Sequence, residues 1–208
     1  MSVLQIKSRT TLCQQEFQKY SLSSNSIIYT DAANENIEEY SIELSLGQGW
    51  NDNYSPSDKN LRKIDSGITL RGHESIVVEV EEQIWVPHNR YGVVLPTGSL
   101  FLSRGILIAS AKVEPAFKGK LKLRMFNTTN QKITINKGSK LGSVIFFATE
   151  STKTHNFTYR ASEISSPPTR TIKKLKKWLY NNKSIWIGWA LNILTSSLTV
   201  VIATHFLN

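Results

Sequence analysis

The sequence predicts a mainly β body with a short N-terminal helix and a C-terminal transmembrane helix. Three observations carry this. Upstream of residue 150, short runs rich in Val, Ile and Phe recur, several alternate with period two, and turn residues divide them about every ten positions. The first 30 residues instead hold a helical stretch, "TTLCQQEFQKYSL" (10–22). Near the other end, Ile185 to Leu207 is 23 residues without Asp, Glu, Lys or Arg.

Taken in order, 1–34 is the N-terminal helical segment and 35–150 the β domain. The expected strands are 75–86, 99–113, 119–127 and 132–147, parted by turns at "LRGHES", "VPHNRYG", "EPAFKG", "NTTNQ" and "NKGSK". "GQGWNDNYSPSDKNLRKIDSG" (47–67) reads as a polar loop. Short strands with such punctuation make a barrel, jelly roll or sandwich. Residues 151–183 form a linker and basic juxtamembrane segment, with Ser/Pro-rich "SEISSPPTR" (162–170) as the linker proper.

The last element is 184–208. The 23 residues from Ile185 to Leu207 within it can span a hydrocarbon core of about 30 Å at about 1.5 Å per residue. Trp186 and Trp189 sit at its N-terminal edge as an aromatic belt, and Lys173, Lys174, Lys176 and Lys177 flank only that side. The positive-inside rule then places the body in the cytoplasm and the helix as a single pass through the cell membrane. A buried C-terminal helix and an interfacial helix fit the same residues, since Asn192, Thr195, Ser196, Ser197 and Thr199 dilute the hydrophobicity. Asn192, Thr195, Ser196 and Thr199 share a face that would hydrogen-bond between helices or line a pore.

The net charge of +9 is concentrated. "RTIKKLKKWLYNNK" (170–183) carries six Lys or Arg and no acid. Next to a membrane segment, and with no aromatic between its lysines at 173–177, this run suits anionic lipid at about 1 kcal/mol per lysine, with nucleic acid as the rival reading. Cys13 is the single cysteine, so an intrachain disulfide and a four-Cys metal site are both excluded. His73, His88, His155 and His205 have no ligand spacing, and no metal is expected. The first twenty residues lack an apolar leader, again indicating a cytosolic body.

Four segments together resemble the dCTP deaminase and dUTPase superfamily, the deaminase branch more closely. They are "NIEEYSIELSLG" (36–47), "GITLRGHESIVVEVEEQIWVPHNRYGVVLPTGSLFLSRGI" (67–106), "AKVEPAFKGKLKLRMFN" (111–127) and "INKGSKLGSVIFF" (135–147). The resemblance covers about residues 35–148 and implies a dUTPase-like distorted jelly roll or β-clip barrel, a homotrimer, and nucleotide sites between subunits. It implies that "LPTGSLFLSRG" holds phosphate, with Gly98 admitting the anion to the backbone, Thr97 and Ser99 donating hydroxyls, and Arg104 clamping phosphate or base. A plain turn is the other reading of "PTGS".

The positions that would carry chemistry depart from that pattern. Arg124 stands where the deaminase wants its proton-shuttling carboxylate, and a guanidinium stays protonated at any physiological pH. Loss of such an acid costs about 10²–10⁴ in rate. Glu114 stands for the aspartate of the dUTPase branch, one methylene longer, and misplacement by about 1 Å can cost about a hundredfold. Ser143 replaces a glutamine, Glu43 an aspartate, and Ser99 to Gly105 is one residue longer than the family's spacing. Arg124 either enters the pocket, where it favours an anion, or lies solvated on the opposite face.

The expectation is therefore a catalytically inactive, membrane-anchored nucleotide-binding protein, acting as sensor or membrane effector with an anti-phage defence role. Two alternatives stay open. One is an active membrane-tethered dUTPase or dCTP deaminase using Glu114 and Glu43, the one case that would call for a cofactor, Mg²⁺. The other is a structural oligomerisation module.

Overall fold

The computed structural model describes residues 3–52, 60–150, 156, 158–160, 163–165, 182 and 192. The chain divides into two compact units, Met1–Ser166 and Pro167–Asn208; of the second only Asn182 and Asn192 are described. Lys173, Lys174, Lys176, Lys177, Trp186 and Trp189 thus lie outside the described residues, as does nearly all of the expected transmembrane helix. Among the described residues no helix is long and apolar enough to cross a membrane.

The first unit is mainly β. Its elements are β1 (Thr10–Thr11), α1 (Gln14–Tyr20), β2 (Ile28–Thr30), β3 (Ser41–Asn51), β4 (Asn60–Lys63), β5 (Gly67–Leu70), β6 (Ser75–Trp85), β7 (Arg90–Pro96), α2 (Gly98–Arg104), β8 (Ile106–Ile108), β9 (Ala111–Val113), β10 (Phe117–Asn127), β11 (Ile133–Asn136), β12 (Lys140–Ala148), β13 (Thr158–Arg160) and β14 (Glu163–Ser165). One sheet runs β1-β2-β6-β3-β12-β7-β9, with β10 on the other side of β6, and β5 and β11 form a separate pair. The path is open at β1 and β9, so among the described residues the sheet does not close into a barrel.

β3 holds the two halves together. Its residues Ser41–Ser45 pair with β12, and Leu46–Asn51 pair with β6. Where a strand changes neighbour, a backbone donor loses its ladder partner and must find another. Glu82 supplies it: one carboxylate oxygen accepts the Ser45 N–H at 2.9 Å, the other the Ser45 hydroxyl. Glu82 lies on the inward face of β6 with its alternating neighbours Val80 and Ile84. Lys120 pairs with Gln83 but Lys122 with Glu79, so β6 bulges between them. The core on either side is Leu44, Leu46, Val78, Val80, Leu123, Met125, Val144 and Phe146, all buried.

Four stretches differ from the sequence reading. In 1–34 the helix is confined to Gln14–Tyr20, because Thr10–Thr11 run parallel with Ile28–Tyr29 instead of joining it. Phe17, its one buried residue, meets the Trp85 ring edge-on at 5.6 Å. The stretch 99–113 is no continuous strand: Gly98–Arg104 is helical, left-handed Gly105 (φ 64°) closes the turn, and only Leu100 of the helix is buried. Leu100-Phe101-Leu102 are three consecutive apolar residues and carry no alternation, while Arg104-Gly105 is a helix-ending signal. The stretch 47–67 contributes the end of β3 and all of β4, because buried Trp50, Leu61 and Ile64 draw it into the core. Arg62 lies over the Trp50 ring at 4.9 Å and pairs with Asp52 at 3.1 Å. Finally, part of the linker joins the body: β13 runs parallel with Phe117–Gly119 and β14 with Asn60–Arg62, using open strand edges.

Candidate functional site

The turn between β9 and β10 builds a concave site. Ala116 adopts a left-handed conformation (φ 62°), unusual for a residue with a Cβ. Gly119 follows at φ 137°, a region that glycine reaches freely. The turn is fixed by Phe117 N–H donating to the Glu114 carbonyl at 3.2 Å, and Val86 N–H donating to the Phe117 carbonyl at 2.8 Å. Backbone held in a sparsely populated region clusters at ligand sites, because surrounding structure must enforce it.

From that turn β10 alternates. Leu121, Leu123 and Met125 face the core; Lys118, Lys120, Lys122 and Arg124 take the other face. Lys118 lies over the Trp85 ring at 4.7 Å, and burial pushes its ammonium below the usual range. Lys122 meets Glu79 across the ladder at 3.2 Å, with side chains only 7% and 4% exposed. In such a dry setting each ion offsets the other's desolvation. A cleft of about 470 Å³ opens beside this face, lined among others by Lys112, Glu114, Pro115, Phe117, Lys120 and Lys122. At its rim Lys112 and Glu114 pair at 2.7 Å, and the hydrogen bond that the exposed Lys112 ammonium donates to Glu114 raises it above the usual lysine range.

A second, wider hollow of about 780 Å³ lies between the end of α2 and the turn 129–134, lined by Arg104, Thr129 and Thr134 among others. Arg104 donates to the Thr134 carbonyl here. Asn127 holds the turn in place. It donates to the carbonyls of Arg71 and Gln131 at 2.9 and 2.7 Å, and accepts from Thr129 N–H and hydroxyl at 3.0 and 2.9 Å.

The sequence-predicted residues thus fall into separate places within one subunit. Glu114 lines the cleft and Arg104 the second hollow. Ser143 lies in register with Glu43 on one side and Leu95 on the other. Burial raises the Glu43 carboxyl, while Lys140 at 3.6 Å pulls it down. Thr97 is close by in sequence, its N–H donating to Leu141 at 3.1 Å and its hydroxyl meeting that of Ser99 at 3.0 Å. A Cβ on Gly98 would meet nothing within 4 Å, so no close backbone approach inside the subunit demands a glycine there. Arg124 donates to the Ser75 hydroxyl at 3.2 Å and lines neither hollow. The residues that sequence reasoning missed are Lys112, Lys120, Lys122 and Glu79. For Lys120 and Lys122 the signal was the "KGKLKLR" alternation (118–124), which puts one cation after another on a single face.

The dUTPase family model matches residues 63–166, from β4 past β14. The chain belongs to the dUTPase family. The deoxyuridine 5'-triphosphate nucleotidohydrolase of Paramecium bursaria Chlorella virus 1 is 30% identical over 70 residues, 34% of this chain. The chain spans half the length of that dUTPase. Among solved structures, the 2'-deoxycytidine 5'-triphosphate deaminase of Agrobacterium tumefaciens is similar at TM-score 0.47 and 17% identity, over 56% of this chain and 42% of that one. The dUTPase of Streptococcus mutans is similar at TM-score 0.42 and 9% identity, over 58% and 94%. The dUTPase of Staphylococcus bacteriophage 80alpha is similar at TM-score 0.40 and 12% identity, over 65% and 98%.

Proposed function

We propose that the chain is a dUTPase-family protein that binds a nucleotide, or a related phosphate ligand, without turning it over. One observation carries this reading. The chain has a cleft with cationic walls, and its single carboxylate, Glu114, is tied to Lys112 at 2.7 Å. A general base must lie within reach of the proton it takes, and Glu114 is held at the cleft's rim by its ion pair with Lys112. Arg124, at the position where the resemblance calls for an acid, cannot act as a base. Among the described residues no three His, Cys, Asp or Glu side chains could hold a metal ion, so no step is drawn through Mg²⁺.

The ligand-bearing body is further proposed to act as a homotrimer, which would bring the Arg104, Glu114 and Glu43–Ser143 regions of different subunits together. Residues 184–208, uncharged and flanked by lysines, would anchor each subunit as a single pass in the cell membrane with the body in the cytoplasm. The whole is then a sensor whose ligand changes a membrane effector, in the manner of an anti-phage defence protein. The test uses the full chain. Thermal unfolding with dUTP, dCTP and their products is expected to show stabilisation of about 2.7 kcal/mol at a hundred times the dissociation constant. Pyrophosphate or ammonia released at enzymatic rates would establish the active enzyme instead. No shift with any nucleotide would leave a structural oligomerisation module.

A further inference from the structure

We infer that Arg90 and Arg9, with the serine loop 22–25 between them, form a site for a small tetrahedral oxyanion of the phosphate or sulfate class. The site joins the N-terminal segment to the start of β7. It shares no lining residue with the cleft or with the second hollow. It goes beyond the nucleotide reading and does not depend on it.

A buried charge without a counter-charge carries the inference. Arg90 is 4% exposed, and among the described residues no carboxylate pairs with it. A guanidinium has five N–H donors. Arg90 uses two: Nη1 donates to the Asn89 carbonyl and Nη2 to the Ser24 carbonyl, both at 3.0 Å. The remaining donors meet no protein acceptor among the described residues. Burial first, and the Arg9 guanidinium second, push Arg90 below the usual arginine range. A buried ion is costly unless it is both hydrogen-bonded and paired. Two carbonyls and water can fill the donors, but they leave the charge uncompensated.

The fold brings the parts together. Arg9 accepts the Ile28 N–H at its carbonyl, 2.8 Å, and Thr10 pairs with Ile28, which sets Arg9 beside the end of the loop. Asn89 holds the loop by donating to the Ser23 carbonyl at 3.0 Å and accepting the Ser26 hydroxyl. Arg90 opens β7, fixed opposite Ala148 of β12. No Asp or Glu occurs between Phe17 and Thr30 or between Gln83 and Val113, so neither segment brings its own counter-ion. Glu150, just past the Thr149 N–H that donates to Asn89, is exposed and pairs with neither arginine. Approach is from the loop side. Asn89 is buried behind Arg90, whereas Ser24 and Asn25 are exposed and Arg9 is half-buried. The Nη2 edge beside Ser24 is thus the one nearest solvent, and Arg9 adds a reachable second cation. A guanidinium fork binds two oxygens of such an anion in parallel, and the Ser23 and Ser24 hydroxyls suit the others.

The experiment titrates the full chain with inorganic phosphate at constant ionic strength, chloride making up the balance, and reads the phosphorus NMR line width and Tm. Native protein is expected to broaden the phosphate line and to gain stability, with sulfate competing and chloride without effect. Arg9→Gln, whose native side chain makes no hydrogen bond or ion pair among the described residues, keeps the fold and should weaken phosphate about tenfold or more. Arg90→Gln should abolish binding, and Arg90→Lys, which keeps the charge but not the fork, should restore little of it. Lys137→Gln, on an exposed turn, should change nothing. If native protein and Arg9→Gln titrate alike, or if phosphate acts no differently from chloride, the site is overturned while the nucleotide reading stands untouched. If Arg9→Gln loses phosphate but still binds dUTP, the oxyanion site is established as separate from the nucleotide site. If phosphate binds through Arg9 and no nucleotide binds in Arg9→Gln, the oxyanion site stands and the nucleotide reading falls.

Discussion

Removing the Asn127 side chain should unfasten the turn that follows β10. Asn127 is 2% exposed, and four of its contacts lie between 2.7 and 3.0 Å: two donated to the Arg71 and Gln131 carbonyls, two accepted from Thr129. At about 1 kcal/mol net per hydrogen bond the set is worth about 4 kcal/mol, and buried groups left without partners add to the loss. Water reaching the exposed side of the turn offsets some of it. Asn127→Ala is therefore predicted to cost about 3–4 kcal/mol. For a body of this size that is a fall in Tm on the order of 10 °C. Urea unfolding followed by tryptophan fluorescence reads it directly, since Trp50 and Trp85 are buried in the same unit. Asn127→Asp keeps the acceptor, loses both donors and buries a charge, so it should be at least as damaging. A loss below 1 kcal/mol in Asn127→Ala would refute the view that this one amide organises the turn.

Other outcomes follow from the same geometry. Lys122→Met removes the cation that faces buried Glu79 at 3.2 Å and should cost about 3–5 kcal/mol, most of it recovered in the Lys122→Met/Glu79→Met double variant; urea denaturation of the three proteins measures the coupling. Glu82 tests the pH dependence. Burial raises its carboxyl, with the Ser45 hydrogen bonds pulling the other way. A folded value above the unfolded one means that the folded chain holds the proton more tightly. Its contribution thus grows as pH falls through the folded value and is complete below the unfolded value of about 4.3. Glu82→Gln, which can still bond Ser45, should lose that relative gain and match or exceed the native protein at pH 8, as parallel Tm measurements across pH would show.

The readable parts of the fold were those where one physical signal dominates. "KGKLKLRMFN" alternates cleanly, and β10 places Leu121, Leu123 and Met125 inward as period two demands. α1 was legible in kind, although Thr10 and Thr11 leave it to pair with β2. β6 was legible over nearly its whole length, 75–86 against Ser75–Trp85, but its bulge and the bond from Ser45 to Glu82 were not, because they answer a need of β3, far away in sequence. α2 was hidden by three successive apolar residues whose burial is decided by packing. Glu114 was singled out in the sequence, but its lysine neighbours were not, since nothing in sequence says that β6 and the Pro115 turn fold a wall beside them. Residues 184–208 remain a reading of charge and length, and the membrane proposal stands on that.

The central claim is binding without conversion, and one sample tests it. Phosphorus and proton NMR spectra of dUTP and of dCTP, each held with an equal amount of full-length protein, report both halves together. The account predicts shifted or broadened β- and γ-phosphoryl resonances that persist over hours, with no pyrophosphate signal and no conversion of cytosine to uracil ring protons. Growth of either product at a catalytic pace, or spectra identical to free nucleotide, would contradict it.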